Sequence, residues 1–150
     1  MTARPQLPER TPRAKGEPTA LDGLLVVDFT RVVAGPACTQ TLADFGAEVI
    51  KIEKPGEGDD TRGWGPPFHT NPDGSRGDAA YYLSANRGKK SVAIDIAKPE
   101  GQRLLRELAK QSDVLMENFK VRGLKKYGLD YESLKAVNPT TVRIPLKFPD

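Results

Sequence analysis

A chain of 150 residues can hold one modest domain with a true core. Its 23 basic and 20 acidic residues leave a net charge of +3, too small and too dispersed to argue for a nucleic-acid partner, although a local basic pocket for a phosphorylated ligand stays open. The single cysteine, Cys38, rules out an internal disulfide framework, and with His69 as the only histidine no Cys/His metal site is expected. No apolar run approaches the roughly 18 residues of a membrane span and no secretory segment is visible. A cytoplasmic location is therefore expected, with the mitochondrial matrix as the alternative in a eukaryote.

Residues 1–20 carry Pro5, Pro8, Pro12 and Pro18 among Arg4, Arg10, Arg13 and Lys15, and read as a disordered, basic, proline-rich tail. Residues 24–29 form an apolar run closed by a turn, as in a strand buried on both faces. Pro36 fits the first position of a helix, where its missing N–H costs nothing. Cys38, Leu42 and Phe45 then follow at i, i+4 and i+7, which predicts one buried face with Cys38 as an inert core thiol. Gly46 sits where a left-handed cap is expected, and residues 48–53 read as a second strand. Strand, helix and strand at this spacing make a βαβ unit on a parallel sheet.

Ten glycines and prolines over residues 55–77 predict a long loop without regular structure. Residues 79–85 read as a short helix and residues 91–96 as a strand after the basic turn Asn86-Arg87-Gly88-Lys89-Lys90. Pro99 opens the clearest helix, to about Gln111, with Leu104, Leu105, Leu108 and Ala109 as its buried stripe. Residues 114–116 read as a third core strand, and residues 121–127 and 131–137 as short helices separated by Gly128.

In an open α/β sheet the site lies beyond the carboxyl ends of the strands. Residues 31–35, 54–58 and 117–120 should converge there. Gly35 permits either close backbone approach to a ligand or a simple tight turn. Neither G-x-G-x-x-G nor a P-loop is present, so dinucleotide and nucleoside-triphosphate readings are weak. Arg87, Lys89 and Lys90 read as a phosphate clamp or a solvated turn. Asn118 and Phe119 read as an adenine clamp or as core. Glu57, Asp59 and Asp60 read as a solvated loop ahead of a cation site. Trp64, Pro66, Pro67 and Phe68 would cover a ligand or pack on another subunit, and His69 reads as an exposed loop residue.

These residues fall into an ordered series. Leu21-Asp22-Gly23, Asp28-Phe29-Thr30-Arg31, Ala34-Gly35-Pro36, Asp44-Phe45-Gly46-Ala47-Glu48-Val49-Ile50-Lys51-Ile52-Glu53 and Gly58-Asp59-Asp60-Thr61-Arg62 come first. Trp64-Gly65-Pro66-Pro67-Phe68, Asn86-Arg87-Gly88-Lys89-Lys90-Ser91, Pro99-Glu100-Gly101 and Glu117-Asn118-Phe119 follow. The series resembles the start of a family III CoA-transferase, the CaiB/BaiF group, over residues 21–139. The resemblance implies an α/β fold: a Rossmann-like parallel sheet with flanking helices, here the N-terminal, incomplete part of an interlocked-homodimer fold. Its substrates would be an acyl-CoA and a carboxylic acid acceptor, of the dicarboxylic kind, with coenzyme A as the carried group and no metal.

The resemblance also implies a mechanism. An aspartate attacks the acyl-CoA carbonyl, a mixed anhydride forms, and CoA thiolate converts it into an enzyme thioester that activates the acceptor carboxylate. Carried over by position, CoA contacts fall at Val33 and Ala34, at Lys54 near a CoA phosphate, along Ile94, Asp95, Ile96 and Ala97, at Asn118 and Phe119, and at Lys126. Residues 140–150 diverge from the family pattern, and Pro145 and Pro149 oppose the central strand expected there. No counterpart of the nucleophilic aspartate is found, so the chain alone is expected to be inactive. The alternatives are a non-catalytic CoA- or nucleotide-binding fragment and an unrelated Rossmann-type oxidoreductase.

Overall fold

The computed structural model describes residues 16–136. Most of the expected tail, Val137 and the divergent segment 140–150 lie outside the described residues. The elements run β1 (Leu25–Asp28), α1 (Ala34–Asp44), β2 (Glu48–Glu53), a 3-10 turn (Asp60–Gly63), β3 (Phe68–Thr70), β4 (Arg76–Ala79) and α2 (Ala80–Asn86). Then come β5 (Lys90–Ala93), α3 (Pro99–Gln111), β6 (Val114–Met116), a second 3-10 turn (Lys125–Tyr127) and α4 (Tyr131–Lys135).

Four strands form the expected parallel sheet in the order β5-β2-β1-β6. β1 is central and its alternate residues serve two cores. Val27 and Phe29 pack with Ile52, Leu105, Ala109 and Leu124 on one face. Val26 packs with Val49 and Ala47 on the other, beside Leu42 and Ala43 of α1. α1 and α3 therefore cover opposite faces, as right-handed crossovers running in opposite directions along a sheet require. The connection from β1 leads over one face to β2, and that from β5 leads over the other face to β6. The strand order thus reverses between β1 and β6, which is where a doubly wound sheet opens a crevice at its carboxyl edge.

Several expectations change. α1 begins at Ala34, and its buried residues are Pro36 and Thr39. Cys38 is exposed and Phe45 is 56% exposed. The period was helical, but Thr39 must face inward to reach Asp28, and that rotates Cys38 outward. Gly46 does take the left-handed cap, at φ 104°. α3 keeps its predicted bounds with Pro99 in its first turn, and buries Leu105 and Ala109 while Leu104 stays exposed. β5 ends at Ala93, because Asp95 then accepts from the Ala97 N–H and turns the chain toward α3. The stretch 55–77 is not structureless: it holds the first 3-10 turn and most of an antiparallel β3–β4 hairpin, which places the exposed His69 in β3. Of the helix predicted at 121–127, only the 3-10 turn Lys125–Tyr127 forms.

Candidate functional site

The reversal point holds a cavity of about 390 Å³ lined by Arg31, Val32, Val33, Ala34, Asp60, Asn118 and Phe119. Its wall is the turn between β1 and α1. Val32 stands there at φ 70°, a left-handed conformation that costs a β-branched residue on the order of 1–3 kcal/mol. Three contacts surround it. The Arg31 N–H donates to Asn118 Oδ1 at 2.9 Å, and Asn118 Nδ2 donates to the Arg31 carbonyl at 2.9 Å. The Val32 N–H faces both carboxylate oxygens of Asp59, at 3.3 and 3.4 Å.

Below this turn lies a buried polar floor. Asp59 and Lys51 form an ion pair at 2.9 Å with side-chain exposures of 0% and 1%. Lys51 Nζ also donates to the Thr30 carbonyl at 2.8 Å. Burial pushes the Asp59 carboxyl up, but the Thr61 N–H and hydroxyl and the Lys51 ammonium together hold it below its ordinary value. Alongside, the buried Asp28 accepts from the Thr30 N–H, from the hydroxyls of Thr30 and Thr39, and from Lys89 Nζ at 3.0 Å. Burial depresses the Lys89 ammonium, and Asp28 pulls it the other way. Gly35 belongs to this floor: a Cβ there would lie 2.3 Å from Thr30 Cβ, so its bareness admits Thr30 and the residue does not line either cavity.

A second cavity of about 280 Å³ adjoins the first through Arg31 and Phe119. Lys54, Ile94, Asp95, Ile96 and Ala97 line it, with Tyr127 and the edges of Lys51, Glu53 and Asp59. Glu53 ties its back wall together. Burial raises the Glu53 carboxyl, but Arg62, Ser91, the Asp59 N–H and Tyr82 all donate to it and hold it at about 2. Arg62 continues to Asp78 at 2.6 Å and lies over the Tyr82 ring.

Nine of the ten residues expected from sequence therefore line one cavity or the other. Lys126 lies instead with its ammonium 4.7 Å from the Tyr127 ring centre, and Tyr127 is the residue that faces the second cavity. Lys54 is at the rim, paired with Glu57 at 2.7 Å. The acidic cluster does not act as one group. Glu57 faces Lys54 and Asp60 faces Arg31, whereas Asp59, expected to be solvated, is buried on Lys51. The basic turn lines neither cavity: Arg87 pairs with Asp44, Lys89 with Asp28 and Lys90 with Glu48. Trp64 lines neither cavity and packs against Tyr81, ring centres 5.4 Å apart. Sequence reasoning missed Lys51, Asp59 and Tyr127. A lysine inside a strand of a parallel sheet, whose two faces are covered by helices, is the available signal for the first two, since a buried charge requires a partner.

The sequence profile of CoA-transferase family III matches residues 21–147. A succinate–glutarate CoA-transferase of Agrobacterium fabrum is 54% identical over 122 residues, covering 81% of this chain and 30% of that protein. A succinyl-CoA:glutarate CoA-transferase of Mus musculus is 48% identical over 119 residues, covering 79% of this chain and 26% of that protein. Among solved structures, a CaiB/BaiF family protein from Brucella suis superposes with a TM-score of 0.76 at 56% identity, over 81% of this chain and 32% of that one. The chain thus spans less than a third of the length of these relatives. Over the span it does share, with the same fold and the profile match extending across most of its residues, the chain belongs to CoA-transferase family III.

Proposed function

We propose that this chain builds the CoA-receiving wall of an acyl-CoA:carboxylate CoA-transferase. One observation carries the reading: the turn 31–34 and the pair Asn118 and Phe119 converge on one cavity at the strand-order reversal. The adjoining cavity adds Lys54 and residues 94–97. An extended ligand with a nucleotide end and a thioester end suits two cavities in series better than a compact one does. The backbone of Val33 and Ala34, at the start of α1, offers donors to it. A dicarboxylic acceptor is the reading favoured by the succinate–glutarate relatives.

In the whole enzyme an aspartate would attack the acyl-CoA carbonyl, and the resulting anhydride would pass to an enzyme thioester and then to the acceptor. Binding energy from the distant CoA moiety would lower that barrier. The whole enzyme would be the family's interlocked homodimer. This chain on its own would bind CoA without transferring it. Each carboxylate lining the two cavities already has a partner within the chain: Asp60 on Arg31, Glu53 on Arg62, Asp59 on Lys51, and Asp95 on the Ala97 N–H.

Calorimetric titration with CoA and a thioester-exchange assay with succinyl-CoA and glutarate test the two halves separately. The expected result is saturable CoA binding with no turnover. Absence of binding overturns the CoA assignment, and turnover above background overturns the inactivity of the isolated chain.

A further inference from the structure

Residue 118 sits where a nucleotide contact is expected, yet its amide oxygen and one of its amide N–H groups are already engaged with the protein. The β1–β6 ladder pairs Val26 with Val114, Val27 with Leu115 and Asp28 with Met116, and ends with the Phe29 N–H on the Met116 carbonyl at 2.8 Å. Beyond that point the two main chains no longer pair. The Asn118 side chain takes over, meeting the N–H and the C=O of one residue, Arg31, each at 2.9 Å. A carboxamide presents a donor and an acceptor in a single plane, as a peptide group does, so the geometry of a strand pair is continued by a side chain. The next residue, Val32, is the one held at φ 70°, and Val33 and Ala34 follow it into the cavity wall.

We propose that Asn118 is a positioning residue: it acts on the ligand through Arg31, by pinning the backbone from which the strained Val32 launches Val33 and Ala34 into the cavity. This rests on the CoA reading of the cavity but concerns a contact already formed without ligand. Asp59 holds the same turn from below through the Val32 N–H. The two grips meet on the Arg31–Val32 peptide, Asn118 holding its carbonyl from the β6 side and Asp59 its N–H from the floor. Loss of Asn118 leaves the floor intact, because Lys51, Asp59 and Thr30 make none of their contacts with it.

Amide hydrogen exchange and ligand titration on the full chain, unaltered and as Asn118→Ala and Asn118→Asp, test this. In the ligand-free Asn118→Ala chain the Arg31 amide exchanges roughly tenfold faster, with β1 core amides and Tm unchanged. Asn118→Asp keeps the acceptor and restores the protection of Arg31. Asn118→Ala weakens CoA and 4′-phosphopantetheine, which lacks adenine, by the same factor. Unchanged Arg31 exchange in Asn118→Ala overturns the proposal, as does an affinity loss confined to the adenine-bearing ligand, which would make Asn118 a direct adenine contact. Failure of the unaltered chain to bind CoA overturns the CoA reading instead, while the exchange arm still decides whether the clamp exists.

Discussion

Asp59 and Asp60 are neighbours in sequence and opposites in environment. Asp59 is buried on an equally buried lysine beneath the turn 31–34, whereas Asp60 is 54% exposed on a half-exposed arginine at the cavity rim. The 3-10 turn that begins at Asp60 separates them: Asp59 caps it by accepting from the Thr61 N–H, and that fixes its side chain inward. The contrast divides the site into a floor and a rim. The floor, Asp28, Lys51, Asp59 and Lys89, is desolvated and saturated with internal hydrogen bonds, so it sets shape. The rim, Arg31, Asp60, Lys54 and Glu57, keeps its charges in water, where an incoming anion can compete for them.

The sharpest way to break the contrast is to unpair the floor. Lys51→Met leaves Asp59 buried without its cation and is expected to cost about 3–5 kcal/mol in denaturant unfolding. For a domain with a typical 5–15 kcal/mol of stability that is a large share. Pairing it with Asp59→Leu removes the stranded charge and recovers most of the loss. Equal damage from the single and the double substitution would mean that the floor is held by packing, not by charge.

Next in size is the acid response of the wall behind the floor. Glu53 lies at about 2 in the folded chain against an ordinary 4.5, so the folded state binds its proton less readily than the unfolded chain does. Its contribution is therefore complete above about 4.5 and is lost as pH falls toward about 2. Asp59, also depressed, adds in the same direction. Thermal melts should fall steeply across that window. Glu53→Gln should start lower at neutral pH and fall less. Parallel curves for the two proteins would remove Glu53 from the acid transition.

How much of this was legible depends on whether the determinant is local. β2 and α3 keep their predicted bounds because alternation and a proline at the helix start are written within each segment. The convergence of 31–35, 54–58 and 117–120 was legible because strand ends in a parallel sheet share an edge. The floor was not. Lys51 and Asp59 decide each other's burial across a loop, and neither residue alone reports it. α1 shows the same limit. Its period is readable, but its rotation depends on Thr39 reaching Asp28, and so the local sequence does not report that Cys38 faces outward. Val32 carries no mark of its positive φ, and the side chains that bond its turn, Asn118 and Asp59, come from other parts of the chain.

The smallest expected effect is the most telling for the rim. If Arg31 and Asp60 are held in solvent, as their exposures of 45% and 54% indicate, their coupling should be worth at most about 1 kcal/mol. A double-mutant cycle of Arg31→Gln and Asp60→Asn measures it directly. The coupling should shrink as salt is raised from low to physiological ionic strength, since exposed charges are screened. The Lys51–Asp59 pair, shielded from ions, should show little salt dependence in the same experiment. A salt-insensitive Arg31–Asp60 coupling above about 2 kcal/mol would place the pair with the floor. The cavity would then have a closed lip, and the exchange of Asp60 for a ligand anion at Arg31 would lose its physical basis.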